Sequence, residues 1–143
     1  MKLSICVSPC PSSSVCVRTQ GFWKTHGGNF PPRNPHPNAW PVSSLTLGTQ
    51  SYTQAQLLAI FNTPVEGNGL ISLAHQLIAA KLNIANGANA TTVAATITAA
   101  DALIDGLVIP PIGSAFLPTS ATSALTSTLD DYNNGLLGPA HCP

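Results

Sequence analysis

The chain has 143 residues, five Lys/Arg against five Asp/Glu, and only 7% charged side chains, where an ordinary soluble domain carries about 25%. That length makes one domain with a modest core, and so few cations exclude the clustered Lys/Arg surface that nucleic acids require. No apolar run reaches the roughly 18 residues that span a bilayer, and a 44% apolar content arranged in periodic segments excludes general disorder.

A surface this poor in charge has little self-repulsion. It belongs either to a monomer solubilised by Ser, Thr, Asn or attached glycans, or to a subunit whose surface is buried in an assembly. At the N-terminus, Leu3, Ile5 and Val7 alternate with Lys2, Ser4 and Cys6, the period of a short strand. Pro9, Pro11 and Ser12 to Ser14 follow as a flexible connector. Residues 1–16 are thus expected to be an extended segment and linker, which either pairs within its own domain or adds to a sheet on a neighbour. The apolar stretch after Met1-Lys2 is too short for the core of a signal peptide.

Cys6, Cys10, Cys16 and Cys142 allow three pairings, and spacing alone does not choose among them. The preferred scheme joins Cys16 to Cys142 and Cys6 to Cys10; an alternative pairs Cys6 or Cys10 with a neighbouring molecule. A zinc site of Cys6, Cys10, Cys16 and His26 is the rival. Its C-x3-C-x5-C spacing with one distant His lacks paired knuckles, so no metal is expected. Disulfides imply an oxidising compartment, hence a secreted chain, extracellular or at the cell surface.

Residues 17–52 read as an irregular aromatic loop region of a single helical domain, 17–143. Gly27-Gly28, Pro31-Pro32, Pro35, Pro37 and Pro41 exclude long helices there. Phe22, Trp23, Phe30 and Trp40 are expected to make a satellite core. The alternative is an exposed platform in which Phe22, Trp23 and Trp40 contact a carbohydrate. Arg18 and Lys24 flank Phe22-Trp23, which favours stacking by a cation. Leu45-Thr46-Leu47, Gly48 and Ser51-Tyr52 predict a small hairpin.

Four helices follow. The first starts at a capping box, Thr53 with Gln56, with Tyr52 placed to staple onto Leu57, and ends by Pro64. The second, about 69–86, is apolar nearly all round, which marks the most buried helix, and stops at Asn86-Gly87. The third, about 91–107, carries the stripe Val93, Ile97, Ala100, Ile104 and Leu107, with Asp101 and Asp105 on its wet face. An apolar connector, 108–118, leads to the fourth, capped by Thr119 or Ser120, striped by Ala121, Leu125, Leu129 and Tyr132, and closed by Asn134-Gly135.

Catalytic candidates are sparse. His26, His36, His75 and His141 are the candidate general bases. His75 on the buried second helix reads as a core histidine bonded to backbone. No nucleophile elbow, H-E-x-x-H, P-loop or dinucleotide glycine pattern is present. Asp130-Asp131 fails the calcium-loop spacing. The expectation is a protein that is not an enzyme and has no cofactor. Asn89-Ala90-Thr91 is an N-glycosylation sequon in the accessible turn between the second and third helices. The Ser/Thr stretches Ser12 to Ser14 and Thr119 to Thr128 permit O-glycans.

Arg18-Thr19-Gln20-Gly21-Phe22-Trp23-Lys24-Thr25-His26, Ala39-Trp40-Pro41, Tyr52-Thr53-Gln54, the run Leu73 to Asn83 and Gly138-Pro139-Ala140-His141-Cys142 resemble a group of uncharacterised secreted bacterial domains over roughly 16–142. The group has no established activity, so the resemblance implies no catalytic residue. More weakly, the chain is similar to subunits of glycosylated extracellular bacterial fibrils. The segment before Cys16 departs from the group's core.

The reading is therefore a mainly α domain. It has a four-helix core, a Pro-rich disulfide-bound N-terminal region, and minor β-structure from an N-terminal strand and the hairpin. Functionally it is a secreted structural subunit that assembles head to tail with copies of itself into an extracellular filament. Leu3, Ile5 and Val7 dock on the neighbour, and Asn89 carries a glycan. A non-closing heterologous contact is what makes an open fibre from one small domain. The alternative is a monomeric extracellular carbohydrate- or cell-wall-binding module. Neither involves nucleic acid or a membrane span.

Overall fold

The computed structural model describes residues 15–28 and 37–143. It is mainly α, with five helices and one two-stranded antiparallel hairpin. The order is α1 (Gln20–Thr25), β1 (Ser44–Leu47), β2 (Gln50–Thr53), α2 (Gln54–Phe61), α3 (Gly69–Ala85), α4 (Ala94–Leu103) and α5 (Thr119–Asn133). The expected N-terminal strand, with Leu3, Ile5, Val7, Cys6 and Cys10, lies outside the described residues, as do Phe30 and His36.

The hairpin pairs Leu45 with Tyr52 and Leu47 with Gln50 across a two-residue turn. Gly48 fills the first turn position at φ +65°, the conformation a tight hairpin reserves for glycine. The strand ladder runs directly into α2. Thr53 accepts from the Gln56 amide while Gln56 accepts from the Thr53 amide, so the capping box forms as its sequence predicts.

α3 is the hub. Leu70, Ile71, Leu73, Ala74, Leu77, Ile78, Ala79, Ala80 and Leu82 are all buried, with neighbours on most sides. Its most extensive packing is against α5. Asn68 caps it and does more: its Oδ1 accepts from Leu70 and Leu117 amides, and its Nδ2 donates to the Ala115 carbonyl. The end of the apolar connector is thereby pinned to the start of α3. Gly69 permits this contact, because a Cβ there would sit 2.5 Å from Thr122 Oγ1 and 2.7 Å from the Pro118 carbonyl oxygen.

Several local expectations need correction. The 17–52 region is not wholly irregular: besides the expected hairpin, six residues form α1, a turn and a half that the prolines further on do not reach. The third predicted helix is shorter, Ala94–Leu103 instead of 91–107. Gly106 at φ +81° follows its end, and Asn89 takes the Thr91 amide into a turn at its start. Its stripe stays continuous because Val93 and Ile104, in the flanking turns, are buried beside Ala100. The cap of α5 is Pro118, not Thr119 or Ser120. The bridge between Asn68 and Pro118 holds that proline extended, so Thr119 is already helical.

Candidate functional site

The two ends of the described chain are joined. Cys16 is bonded to Cys142, 126 residues apart in sequence, and this removes Cys16 from any zinc set with His26. Beside the bridge, the Val17 amide donates to the Ala140 carbonyl at 3.0 Å, and the Cys142 amide donates to the Val17 carbonyl at 2.9 Å. Val17 is fully buried, and Val15 packs against the core, where a Cβ on Gly87, just beyond α3, would come within 3.2 Å of it. The chain therefore enters the domain through a covalent and hydrogen-bonded clamp. Among the described residues, no group of three or more His, Cys, Asp or Glu side chains is placed to hold a metal ion.

Among the described residues, Trp23 and Trp40 form no exposed platform and no separate satellite. Trp23 is 1% exposed and Trp40 8%, and both belong to the main core. Trp40 Nε1 donates to the Trp23 carbonyl at 2.8 Å, and its ring lies so close to Gly27 that a Cβ there would meet Nε1 at 2.5 Å. Trp40 also meets Phe61 edge-on, with centroids 6.2 Å apart, and Phe61 leans on His75 at 5.9 Å. A sugar needs the face of a ring, and these faces are spent on packing. Phe22 is half-buried: His26 stacks on it at 3.9 Å, and the Arg18 guanidinium lies over it at 4.1 Å, the cation stack that the flanking charges favoured.

The residues that tie this region to the helices were not marked by the sequence. Asn83, on α3, uses both ends of its amide. Its Oδ1 accepts from the Arg18 amide at 2.9 Å and from Trp23 Nε1 at 3.2 Å. Its Nδ2 donates to the Arg18 carbonyl at 2.9 Å and to Asn133 Oδ1 at 3.0 Å. Asn133 passes the network on to the Gln76 carbonyl and side chain. Three segments meet at one buried, satisfied amide. Such networks specify a register more than they add net stability. The one sequence signal was an Asn near the end of the most buried helix.

Asp101 is not simply solvated: its side chain is 29% exposed and fully engaged. Its carboxylate accepts from Lys81 Nζ at 2.8 Å, and Lys81 also reaches the Thr46 carbonyl. The other carboxylate oxygen accepts from the Gly48 amide at 2.9 Å. The pair thus locks α4 and α3 onto the hairpin turn. His75 behaves as the sequence implies: it bonds to backbone, Nε2–H donating to the Ile60 carbonyl at 2.7 Å, which places a proton on Nε2. Burial pushes its pKa down, against the pull of that hydrogen bond. Asp130 is engaged by the Asn134 side chain.

Concave surfaces carry little acid or base. One, about 590 Å³, is lined by Asn38, Trp40, Pro41, Val42, Ser43, Ser44 and Gln54. A second, about 410 Å³ between α3 and α5, is lined by Ser and Thr hydroxyls with Gln76 and Asp130. Asn89 stands exposed in the loop between α3 and α4, beside a third cleft. Among the described residues no helix is long and apolar enough to cross a membrane. No family model, curated protein or solved structure matches the chain.

Proposed function

We propose that the chain is a secreted structural subunit that assembles head to tail into an extracellular filament, with the segment Leu3–Val7 docking on the next copy. The observation that carries the reading is the clamp at residue 16. A disulfide and two backbone hydrogen bonds anchor the base of the N-terminal segment to the opposite end of the same chain. Tension on that segment passes covalently into the domain and does not peel the first residues away. A head-to-tail polymer needs such a load path; a monomer does not. The neutral, 7%-charged composition supports the same reading, since close packing of copies meets little repulsion. So do two large side chains left in water, Phe116 at 59% and Leu136 at 69% exposure.

Electron microscopy of non-reduced extracellular material containing the chain tests the proposal directly. Regular filaments with a domain-sized repeat are expected. A chain lacking residues 1–11 should keep its helical circular dichroism and form no filaments. Dispersed particles from the full chain, or intact filaments from the deletion, would overturn it.

A further inference from the structure

We propose that Asn89 carries an N-linked glycan whose first sugar lies in the cleft between the α3–α4 loop and the C-terminal segment at Gly138-Pro139. The inference rests on the extracellular half of the function proposed above and is independent of filament assembly.

The acceptor is presented in one fixed geometry. Asn89 Oδ1 accepts from the Thr91 amide at 2.8 Å, which closes an Asx turn around the sequon. Its main-chain carbonyl accepts from the Tyr132 hydroxyl at 2.8 Å, which holds the loop to α5. The Thr92 hydroxyl donates to the Leu137 carbonyl, which ties the same loop to the C-terminal segment. With the oxygen engaged, Asn89 Nδ2 has no hydrogen-bond partner among the described residues. An exposed amide nitrogen on a rigid, solvent-facing turn is the group a transferase must reach.

Beside it lies a cleft of about 370 Å³ lined by Asn89, Thr91, Thr92, Gly138 and Pro139. Its chemistry suits a sugar ring. No charged side chain lines it, threonine hydroxyls border it, and Pro139 offers an apolar surface to the C–H face of a pyranose. Gly138 keeps it open: at φ +118° it adopts a conformation that other residues rarely take, and a Cβ there would come within 3.2 Å of Thr92 Oγ1. A neutral surface that needs hydration without charge gains both from such a modification.

The chemistry balances. The donor is a saccharide activated as a lipid diphosphate. Asn89 Nδ2 attacks the anomeric carbon, the bond from that carbon to the diphosphate oxygen breaks, and the diphosphate leaves with the electron pair. Nδ2 gives up one proton to the transferring enzyme.

Peptide mass mapping of the chain from extracellular material tests the site. The peptide containing Asn89 should carry sugar-mass increments in the native chain and in a Thr91→Ser variant, and none in Thr91→Ala. Amide hydrogen exchange tests the cleft: Leu137, Gly138 and Ala140 should exchange several-fold more slowly in the glycosylated chain than in the same chain made without a transferase. An unmodified Asn89 in secreted chain overturns the proposal. Modification with unchanged exchange at those amides overturns the cleft as the sugar's seat. Filaments built from unmodified chains would separate this failure from failure of the filament reading.

Discussion

His75 sets the pH behaviour of the core at a single side chain. Its ring lies against Phe61, its Nε2–H is given to the Ile60 carbonyl, and burial depresses its pKa, with the charge of Lys24 adding to the effect. In the unfolded chain the imidazole titrates near about 6.5, so on acidification the unfolded state binds the proton first. The contribution of neutral His75 is therefore complete above about 6.5 and is lost as pH falls through that value toward the lower folded pKa. Urea midpoints measured from pH 7.5 to 5 should fall, and a His75→Gln variant, which keeps a donor but cannot titrate, should show a flatter profile. Parallel profiles would show that His75 does not titrate differentially. Tyr52 and Tyr132 act in the opposite direction. Burial raises both pKa values, so their contribution is present at neutrality and is lost as pH climbs past about 10.

Between elements, the decisive contacts are polar. Replacing Asn83 by Ala would leave the Arg18 amide, the indole N–H of Trp23 and Asn133 Oδ1 without their partner. At roughly 1–3 kcal/mol for a stranded buried group, and with relaxation recovering part of it, a loss of about 3–5 kcal/mol is expected in chemical denaturation. Asn83→Asp keeps the acceptor but turns the donor end into a second acceptor facing the Arg18 carbonyl and Asn133 Oδ1, so it should be no milder. A loss below about 1 kcal/mol in both would mean that the network is dispensable. This scale also divides what was legible in the chain from what was not. The positions of α2, α3 and α5, the capping box at Thr53, the Gly87 and Gly135 stops and the hairpin follow from local spacing, because each depends on residues within a few positions of one another. The partners of Asn83 and the pairing of Asp101 with Lys81 lie at sequence separations of 20 to 65, which no local pattern encodes. Local spacing leaves packing and an exposed platform open for the aromatics for the same reason. The exposure of Trp23 and Trp40 is decided by α2, α3 and Gly27 closing around them, and composition near residue 23 carries no trace of that. Asn89 was legible as a sequon, but the cleft beside it is made by Gly138 and Pro139, some fifty residues away.

For the whole molecule, the disulfide links nearly the full length of the described chain. Closing a loop across a separation of 126 residues removes enough unfolded-state freedom to contribute about 4–5 kcal/mol on the chain-entropy account. The native state loses little when it is removed. The Val17 bridge to Ala140 and Cys142 is made by backbone, and Val17 itself stays buried. A Cys16→Ala, Cys142→Ala chain, with Cys6 and Cys10 untouched, should therefore fold to the same helical spectrum but melt on the order of 15 °C lower. The mechanical consequence differs from the thermal one. Without the covalent link, force from the N-terminal segment is resisted only by non-covalent anchors: the burial of Val17, its two backbone hydrogen bonds, and the Arg18 bonds to Asn83. If the filament reading is right, the double variant should assemble at low temperature and yield filaments that break under shear at much shorter length than the parent. Filaments of equal length after identical shear, alongside the expected drop in melting temperature, would confine the disulfide to stabilising the fold and remove the load-path argument.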